Sequence, residues 1–169
     1  MQLLLTTLRG LAQLLLLVSI AANGAATATS YGNFSRSCTS VHLDDDDVVL
    51  RASCYPPAGQ DGNNAGSVKD NKLELPLCIG LDQTTAQMEW SIYGKFSNYC
   101  RNCTLSAITA IKAGEQVDEH LFTCVCVSLS GGSGPVRSTI NLDEGISNVM
   151  GRLECAGGIA ALVYPEKEY

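Results

Sequence analysis

The chain has 169 residues, of which 46% are hydrophobic and 17% charged, and its formal net charge is −6 at pH 7. A chain of this length predicts one domain. Because 11 basic residues face 17 acidic ones, the sequence offers no basic surface for phosphate groups, and we expect neither nucleic acid nor an anionic membrane as a partner.

The first 28 residues have the pattern of a secretory signal peptide. Arg9 precedes an apolar run over residues 11–20, and small residues between positions 21 and 28 provide cleavage sites. The run is shorter than the about 20 residues that a membrane anchor requires. We therefore expect a secreted protein, extracellular or in the cell wall, that does not insert into a membrane once residues 1–28 are removed.

The remaining chain is a tandem duplication. The phrase Gly-x-Phe-Ser-x-x-Cys occupies residues 32–38 and recurs, in register, at residues 94–100. The segments that follow also match, which defines one domain over 29–157 with repeat one at 32–92 and repeat two at 94–155. Residues 158–169 are assigned to a C-terminal tail. Since one repeat of this length often cannot bury its apolar face alone, we expect the two repeats to share a core.

Apolar residues mostly recur at every second position, which is typical of half-buried strands. The alternation covers residues 48–54, 122–126, 139–142 and 152–155, and the ambiguous segment 106–112 is assigned to a strand as well. Residues 143–148 fit one helical turn that begins with two acids. Clusters of Gly and Pro at 56–57, 59–66 and 131–135 mark turns. The pattern predicts an all-β protein of about ten short strands.

The 8 cysteines of a secreted chain predict disulfides. Cys38 and Cys54 enclose a short loop in repeat one, and Cys100 and Cys126 occupy the same places in repeat two, so these two pairs are predicted. The other four cysteines can pair in three ways. They are Cys78, Cys103, Cys124 and Cys155.

Two groups of residues could in principle hold a metal ion. The cysteines at 100–103 and 124–126 have the spacing of zinc ligands. The block Asp44–Asp47 could bind calcium, but it lacks the glycine and the distal glutamate of an EF-hand loop and is interpreted as a solvated hairpin tip. We expect neither a metal nor a cofactor.

Residues suited to catalysis are sparse. His42 and His120 do not stand near a nucleophile motif. Asp143 and Glu144 could form a glycosidase pair, but adjacent acids at the start of a helical turn more often meet free backbone N–H groups. The sequence therefore predicts a protein that is not an enzyme.

Asn33 and Asn102 begin the sequons Asn-Phe-Ser and Asn-Cys-Thr. In a protein of the eukaryotic secretory pathway, such sequons are acceptors of N-linked glycans. We expect N-glycosylation at both positions.

The order and spacing of several motifs, together with their duplication, resemble the cyanovirin-N family and its fungal homologues in particular. The motifs are Gly-x-Phe-Ser-x-x-Cys, Leu-x-Ala-x-Cys at 50–54, Ile-Asn-Leu-Asp at 140–143, Ile-x-Asn at 146–148 and Gly-x-Leu at 151–153. The resemblance covers residues 32–155.

This resemblance implies a cyanovirin-N-like fold of two pseudo-symmetric lobes. Each lobe takes a three-stranded sheet from one repeat and a β-hairpin from the other, so neither repeat folds by itself. Transferred to this chain, residues 32–68 combine with 139–155, and residues 94–138 combine with 73–90. A hinged duplication of this kind is expected as a monomer and can also form a domain-swapped dimer.

The resemblance also implies a lectin for mannose-rich oligosaccharides or glycoproteins, with one shallow site per lobe and no metal ion. In lobe one the implied contacts are Asn33, Arg36, Ser37, Asn148, Val149 and Met150. In lobe two they are Gly80, Gly94, Lys95, Asn98, Tyr99 and Ser128. The acidic groups of the family are absent at Met150 and Gly80, and Leu81–Gln87 replaces the expected turn of Asn and Gly.

Two further hypotheses accompany this interpretation. Asn33 is both a sequon and an implied sugar contact, so a glycan on Asn33 would occlude the first site. The alternative function is a secreted, disulfide-rich structural or host-interaction protein that uses the same scaffold without sugar binding, because a fold does not fix a function.

Overall fold

The structure is a computed structural model that describes residues 32–44, 47–56, 67–130 and 134–163. The predicted signal peptide, the centre of the acidic block, the glycine-rich turns at 59–66 and the last residues of the predicted tail lie outside these residues.

The described residues form antiparallel strands joined by short 3-10 helices and contain no α-helix. The strands are β1 (Cys38–Leu43), β2 (Val49–Cys54), β3 (Lys69–Glu74), β4 (Ile79–Leu81), β5 (Met88–Trp90), β6 (Cys100–Lys112), β7 (Glu115–Cys126), β8 (Val136–Asn141), β9 (Ser147–Val149), β10 (Arg152–Cys155), β11 (Gly158–Ile159) and β12 (Ala161–Val163). The 3-10 helices are η1 (Phe34–Arg36), η2 (Leu75–Leu77), η3 (Phe96–Asn98) and η4 (Leu142–Glu144). The all-β prediction is confirmed.

Each lobe combines three sheet strands from one repeat with a hairpin from the other, and in lobe one β12 from beyond repeat two adds a fourth strand. Lobe one pairs the sheet β1-β2-β3-β12 with β9–β10, and lobe two pairs the sheet β6-β7-β8 with β4–β5. The buried amide of Asn71 on β3 donates to the Gly151 carbonyl and accepts from the Leu153 N–H, each at 3.0 Å. In lobe two, the Ser138 hydroxyl on β8 accepts from the Met88 N–H at 2.7 Å. These bonds cross between the repeats, so the predicted exchange of hairpins is confirmed.

The structure shifts the predicted limits of the exchanged segments. β3 pairs with β2, and β8 pairs with β7, so each stays in the sheet of its own repeat. The sequence instead assigned residues 73–74 of β3 and 139–141 of β8 to the exchanged segments. The physical reason is the alternation itself: Leu73 and Ile140 bury their side chains on the inner face of these sheets. The exchanged hairpins are therefore shorter than predicted.

The core contains one phenylalanine from each copy of the repeated phrase. Phe34 and Phe96 are fully buried, as is Phe122 on β7. The rings of Phe96 and Phe122 meet edge to face with centroids 5.4 Å apart, a favourable aromatic geometry. Phe34 instead packs against His120 of the other repeat, with ring centroids 5.3 Å apart. Each copy of the phrase thus contributes one fully buried ring to the core.

All 8 cysteines form disulfides. The pairs Cys38–Cys54 and Cys100–Cys126 are those that the repeat positions predict, and the structure chooses Cys103–Cys124 and Cys78–Cys155 for the remaining four. The sulfurs at 100–103 and 124–126 are thus bonded to each other, and they do not form the alternative zinc site. Cys78–Cys155 is the bond that joins repeat one to the exchanged hairpin of repeat two.

Two regions extend beyond the predicted elements. The hairpin β6–β7 turns at Ala113 and Gly114, whose φ values of 52° and 83° fit the two-residue turn that hairpins favour. It includes the ambiguous residues 106–112 as strand. At the other end, β11 and β12 lie within the predicted tail, and β12 pairs with β3 from Ala161 to Val163. The sheet of lobe one therefore extends past the predicted domain end at residue 157.

Candidate functional site

The implied site of lobe one brings together residues from both repeats. The Asn148 side chain on β9 donates to the Ser37 hydroxyl at 2.8 Å and to the Tyr55 carbonyl at 2.6 Å. Its Oδ1 atom is buried and has no hydrogen-bond partner among the described residues. Asn148 therefore attaches the exchanged hairpin to the ends of β1 and β2, and its NH2 group is bonded within the protein.

The chain enters this site in a left-handed conformation. Asn33 has φ 60°, which asparagine tolerates better than most residues, and its N–H donates to the Asp143 carbonyl at 2.7 Å. The Gly32 N–H donates to the Ser147 hydroxyl at 2.7 Å, and a Cβ at Gly32 would lie 2.8 Å from the Asp143 carbonyl oxygen. These contacts with the opposite repeat leave the Asn33 side chain exposed, without a hydrogen-bond partner among the described residues.

Arg36 is the charged group of the site. Its guanidinium lies 3.7 Å from the Glu115 carboxylate at the tip of the β6–β7 hairpin, and the two side chains are 56% and 71% exposed. An ion pair with this exposure contributes little to stability. The guanidinium therefore retains N–H groups that can donate to a ligand.

Val149 and Met150 contribute the turn between β9 and β10. Met150 and Gly151 have φ values of 55° and 82°, the same turn geometry as at the tip of β6–β7. The Met150 carbonyl accepts from the Lys69 ammonium at 2.8 Å, which ties this turn to β3. Val149 is exposed and lies beside Asn148. The turn thus presents backbone and apolar surface, and its backbone is held by repeat one.

A buried carboxylate holds the backbone of the lobe one site in place. The Asp143 carboxylate on η4 accepts from the Ser35 N–H at 3.0 Å and from the His120 N–H at 2.9 Å, and it lies 3.3 Å from the His120 ring nitrogen Nδ1. Burial raises the pKa of Asp143, but the hydrogen bonds from His120 and Ser35 outweigh burial and hold that pKa below its ordinary value. Asp143 thereby fixes η1, which carries Arg36, against β7.

In lobe two, the implied site lacks most of these side chains. Gly80 and Gly94 pack backbone against backbone, and a Cβ at Gly94 would overlap the Cα and N atoms of Gly80. The Ser128 hydroxyl is buried and donates to the Gln83 carbonyl, while the Leu129 N–H donates to Gln83 Oε1 at 3.1 Å. Ser128 is thus bonded within the protein and is not available to a ligand.

The backbone of lobe two repeats that of lobe one although the side chains differ. The Val127 N–H donates to the Tyr99 carbonyl at 3.0 Å, as the Tyr55 N–H donates to the Ser37 carbonyl at 2.9 Å. Tyr99 is half-buried and packs against the core, whereas Lys95 and Asn98 are exposed. Of the six implied residues, Lys95 and Asn98 are thus the ones whose polar side chains are fully exposed.

Sequence reasoning missed Gln83, the residue to which the implied contact Ser128 is bonded in lobe two. Gln83 lies in Leu81–Gln87, the segment that departs from the family pattern. It accepts from the N–H and hydroxyl groups of Ser128–Ser130, which follow Val127, the counterpart of Tyr55. The departure from the pattern was therefore the available signal.

A family model of the CVNH domain matches residues 34–154, well over half of the chain. The chain belongs to the CVNH family. This family includes lectins and is known for lectins rather than enzymes. Among solved structures, the chain is similar to GzCVNH of Gibberella zeae, with 27% identity, a TM-score of 0.55 and coverage of 73% of this chain and 97% of GzCVNH.

The CVNH fold also matches that of a designed protein. A designed cyanovirin-N homolog lectin shares 21% identity and a TM-score of 0.53 with the chain, over 73% of this chain and 98% of the designed one. At that identity the likeness shows the fold alone. No curated protein matches the chain.

The described part of this CVNH chain contains neither a candidate metal site nor a helix that could span a membrane. Among the described residues, no group of three or more His, Cys, Asp or Glu side chains is placed to hold a metal ion. Asp44, at one end of the acidic block, forms ion pairs with Arg51 at 2.9 Å and Lys72 at 3.8 Å. No helix in the described part of the chain is long and apolar enough to cross a membrane. The four disulfides are typical of an extracellular protein.

Three hollows of about 320–370 Å³ lie away from both implied sites of the CVNH fold. One lies against β1, β2 and β3 beside Arg51 and Asp70. The other two adjoin each other along β6, one opposite Asp47 and Val48 and the other opposite β1. None of the three contains an implied sugar contact.

Proposed function

We propose that this chain is a secreted lectin that binds mannose-rich oligosaccharides by hydrogen bonding at lobe one, without a metal ion. The observation that carries the proposal is the junction of Ser37, Tyr55 and Asn148, which assembles one surface from both repeats beside the exposed side chains of Asn33 and Arg36. Membership of a family that includes lectins supports it.

The chemistry of a sugar suits this surface. Each hydroxyl of a mannose residue both donates and accepts, so recognition needs closely spaced polar groups rather than a deep pocket. Arg36 supplies several N–H donors and Asn33 supplies an amide that can donate and accept. Asn148 acts as a positioning residue, because its amide is bonded to Ser37 and Tyr55.

Lobe two is proposed to bind weakly or not at all. The Ser128 hydroxyl is bonded to Gln83, and Gly80 and Gly94 carry no side chains. Lys95 and Asn98 therefore have fewer polar neighbours for sugar binding than Arg36 has in lobe one. A lectin with one working site binds clustered glycans without cross-linking them. We therefore expect no agglutination, and no release of sugar from an oligosaccharide.

The test compares the binding of three refolded mature proteins to a glycan array: the unmodified protein, Arg36→Ala and Asn98→Ala. All three are made in a host that does not glycosylate. The two positions correspond in the repeated phrase, so Asn98→Ala is the matched control. Loss of a charge-assisted donor costs about 1.5–3 kcal/mol, and we expect Arg36→Ala to weaken mannose binding about 10- to 100-fold. Asn98→Ala should change it less than about twofold.

Equal effects of the two substitutions would reject the lobe one site. If the unmodified protein binds no glycan on the array, the lectin proposal fails, and the alternative of a secreted structural or host-interaction protein on this scaffold is favoured. The loss of polar side chains in lobe two is the observation that supports this alternative.

The sequon at Asn33 provides a second comparison. A glycan on Asn33 would cover the surface beside Arg36. Protein from a glycosylating host should therefore bind mannose arrays more weakly than unglycosylated protein. Equal binding by the two preparations would show that no glycan occludes the site.

A further inference from the structure

A groove separates the two lobes on the side where β1 faces β6. Each of these strands is at the edge of its sheet, so each has backbone groups that no neighbouring strand pairs. Two adjoining hollows of about 370 and 360 Å³ occupy the groove, and Asp47 and Cys103 line both of them. Volumes of this size are at the lower end of those that bind small molecules, which are about 300–1,000 Å³.

Asn102 lies at the rim of this groove. It is exposed, with φ 53°, in the bulge where the pairing of β6 with β7 shifts register between Arg101 and Thr104. Its side-chain amide has no hydrogen-bond partner among the described residues. Because Asn102 also begins a sequon, a sugar attached to it starts inside the first hollow.

The walls of the groove match the first sugars of an N-linked glycan. N-acetylglucosamine presents hydroxyls, an amide and an apolar ring face. On the repeat one wall, Asp47 supplies a carboxylate and Val48 an apolar side chain; on the repeat two wall, Ser97 supplies a hydroxyl. Val41 and Leu105 extend the apolar surface into the second hollow. The two hollows thus offer both polar and apolar groups to an attached glycan.

A covalent tether allows a sugar to bind in a groove as open as this one. A free sugar binds weakly to a shallow polar surface, because the contacts barely offset the cost of association. A tethered sugar has an effective concentration in the millimolar range, and weak contacts then suffice. Asn33, the other sequon, is also exposed and left-handed but lines none of the three hollows.

We propose that an N-linked glycan on Asn102 lies in the groove between β1 and β6, contacts Asp47 on the opposite wall and so links the two repeats. The inference rests on the proposed secretion of the chain, and it is independent of sugar binding at lobe one.

The test uses mature protein from a glycosylating host in two forms, Asn33→Gln and Asn102→Gln, each with a single sequon. Mass spectrometry establishes occupancy, and the melting temperature is measured before and after enzymatic removal of the glycan. We expect removal from Asn102 to lower the melting temperature by about 3–6 °C and removal from Asn33 to lower it by less than about 1 °C.

A third variant tests the contact across the groove. Asp47 has φ 55°, so Asp47→Gly deletes its carboxylate while the backbone keeps its conformation. In the Asn33→Gln background, we expect this change to reduce by about half the loss of melting temperature on glycan removal.

Three results would overturn the inference: an unoccupied Asn102, equal effects of glycan removal at the two sites, or an effect at Asn102 that Asp47→Gly leaves unchanged. A failure of mannose binding by lobe one on the array leaves each of these measurements valid. The two proposals therefore fail separately.

Discussion

Asp143 shows how one buried side chain can organise several elements. Its carboxylate accepts N–H groups from η1 and β7, and its carbonyl accepts the N–H of Asn33. A buried carboxylate is costly unless it is fully hydrogen-bonded, and three donors within 3.3 Å meet that condition here. Asp143 is therefore a stabilising residue that also positions Arg36.

Asp143→Asn should destabilise the protein by about 2–3 kcal/mol at pH 7, because the new NH2 group would face a backbone N–H. The pKa of Asp143 is depressed in the folded state, so the unfolded chain takes up the proton first as the pH falls. The contribution of Asp143 to the free energy of unfolding is thus complete above about pH 5, and it is lost as the pH falls through the folded-state pKa of this carboxyl group. Urea unfolding at pH 7, 5 and 3 measures this.

Between pH 7 and pH 3, Asp143→Asn should lose less free energy of unfolding than the unmodified protein, because it lacks the carboxylate whose protonation weakens the fold. Glu144→Gln is the matched control, because Glu144 is the exposed neighbour on η4 and should change stability by less than about 0.5 kcal/mol. Identical pH profiles for Asp143→Asn and the unmodified protein would contradict the role given to Asp143.

At the scale of elements, glycines allow the exchanged hairpin to dock in lobe two. The backbones at Gly80 in repeat one and at Gly94, the first residue of repeat two, touch. Here the hairpin β4–β5 and the start of η3 approach too closely for any side chain between them. The contact leaves no room for the acidic side chain that the family pattern implies at Gly80.

Gly94→Ala should destabilise the protein by at least about 2 kcal/mol, because its Cβ would meet rigid backbone rather than a side chain that can move. Gly134→Ala is the matched control, since a Cβ there meets nothing within 4 Å. Chemical denaturation of the two variants measures the difference. Similar stabilities would show that the hairpin can shift to accommodate a methyl group.

At the scale of the whole molecule, one disulfide differs in kind from the other three. Cys38–Cys54, Cys100–Cys126 and Cys103–Cys124 each join neighbouring strands of one sheet. Cys78–Cys155 spans a sequence separation of 77 and holds the hairpin of repeat two against repeat one. It is placed to keep the exchange of hairpins within one chain.

Removal of Cys78–Cys155 by two alanines should cost about 4.5 kcal/mol in the chain-entropy model, against about 3.3 kcal/mol for the shorter loop of Cys103–Cys124. Only the first change should increase a domain-swapped dimer, because only it frees an exchanged hairpin. Guanidinium unfolding and size-exclusion chromatography test both statements. A dimer that appears equally in both variants would contradict them.

Much of the fold could be predicted from the sequence because the duplication repeats its signals. The alternation of strands, the buried phenylalanines and the first two disulfides occur at matching positions of both repeats. Cys78 and Cys155 have no counterparts in the other repeat, so their pairing depends on how the hairpins dock. The strand at Ala161–Val163 was missed for the same reason, since it lies beyond the duplicated segment.

The candidate sites were less predictable, because their side chains depend on contacts between repeats. Asn148 was expected to contact a ligand, yet its amide is bonded to Ser37 and Tyr55. Ser128 is similarly bonded to Gln83, which has no equivalent in the family pattern. A motif can indicate which residues meet at a surface, but it does not indicate which of their polar groups remain free.

The interlocked topology also sets an order of events during synthesis. β3 finds its edge partner β12, and Cys78 finds Cys155, only after roughly eighty more residues have been made. At about 5–20 residues per second, the first half waits roughly 5–15 s with an open sheet edge and an unpaired thiol. A nascent chain of this design would rely on chaperones and oxidases until its final strand leaves the ribosome, and a truncated product would keep both defects permanently.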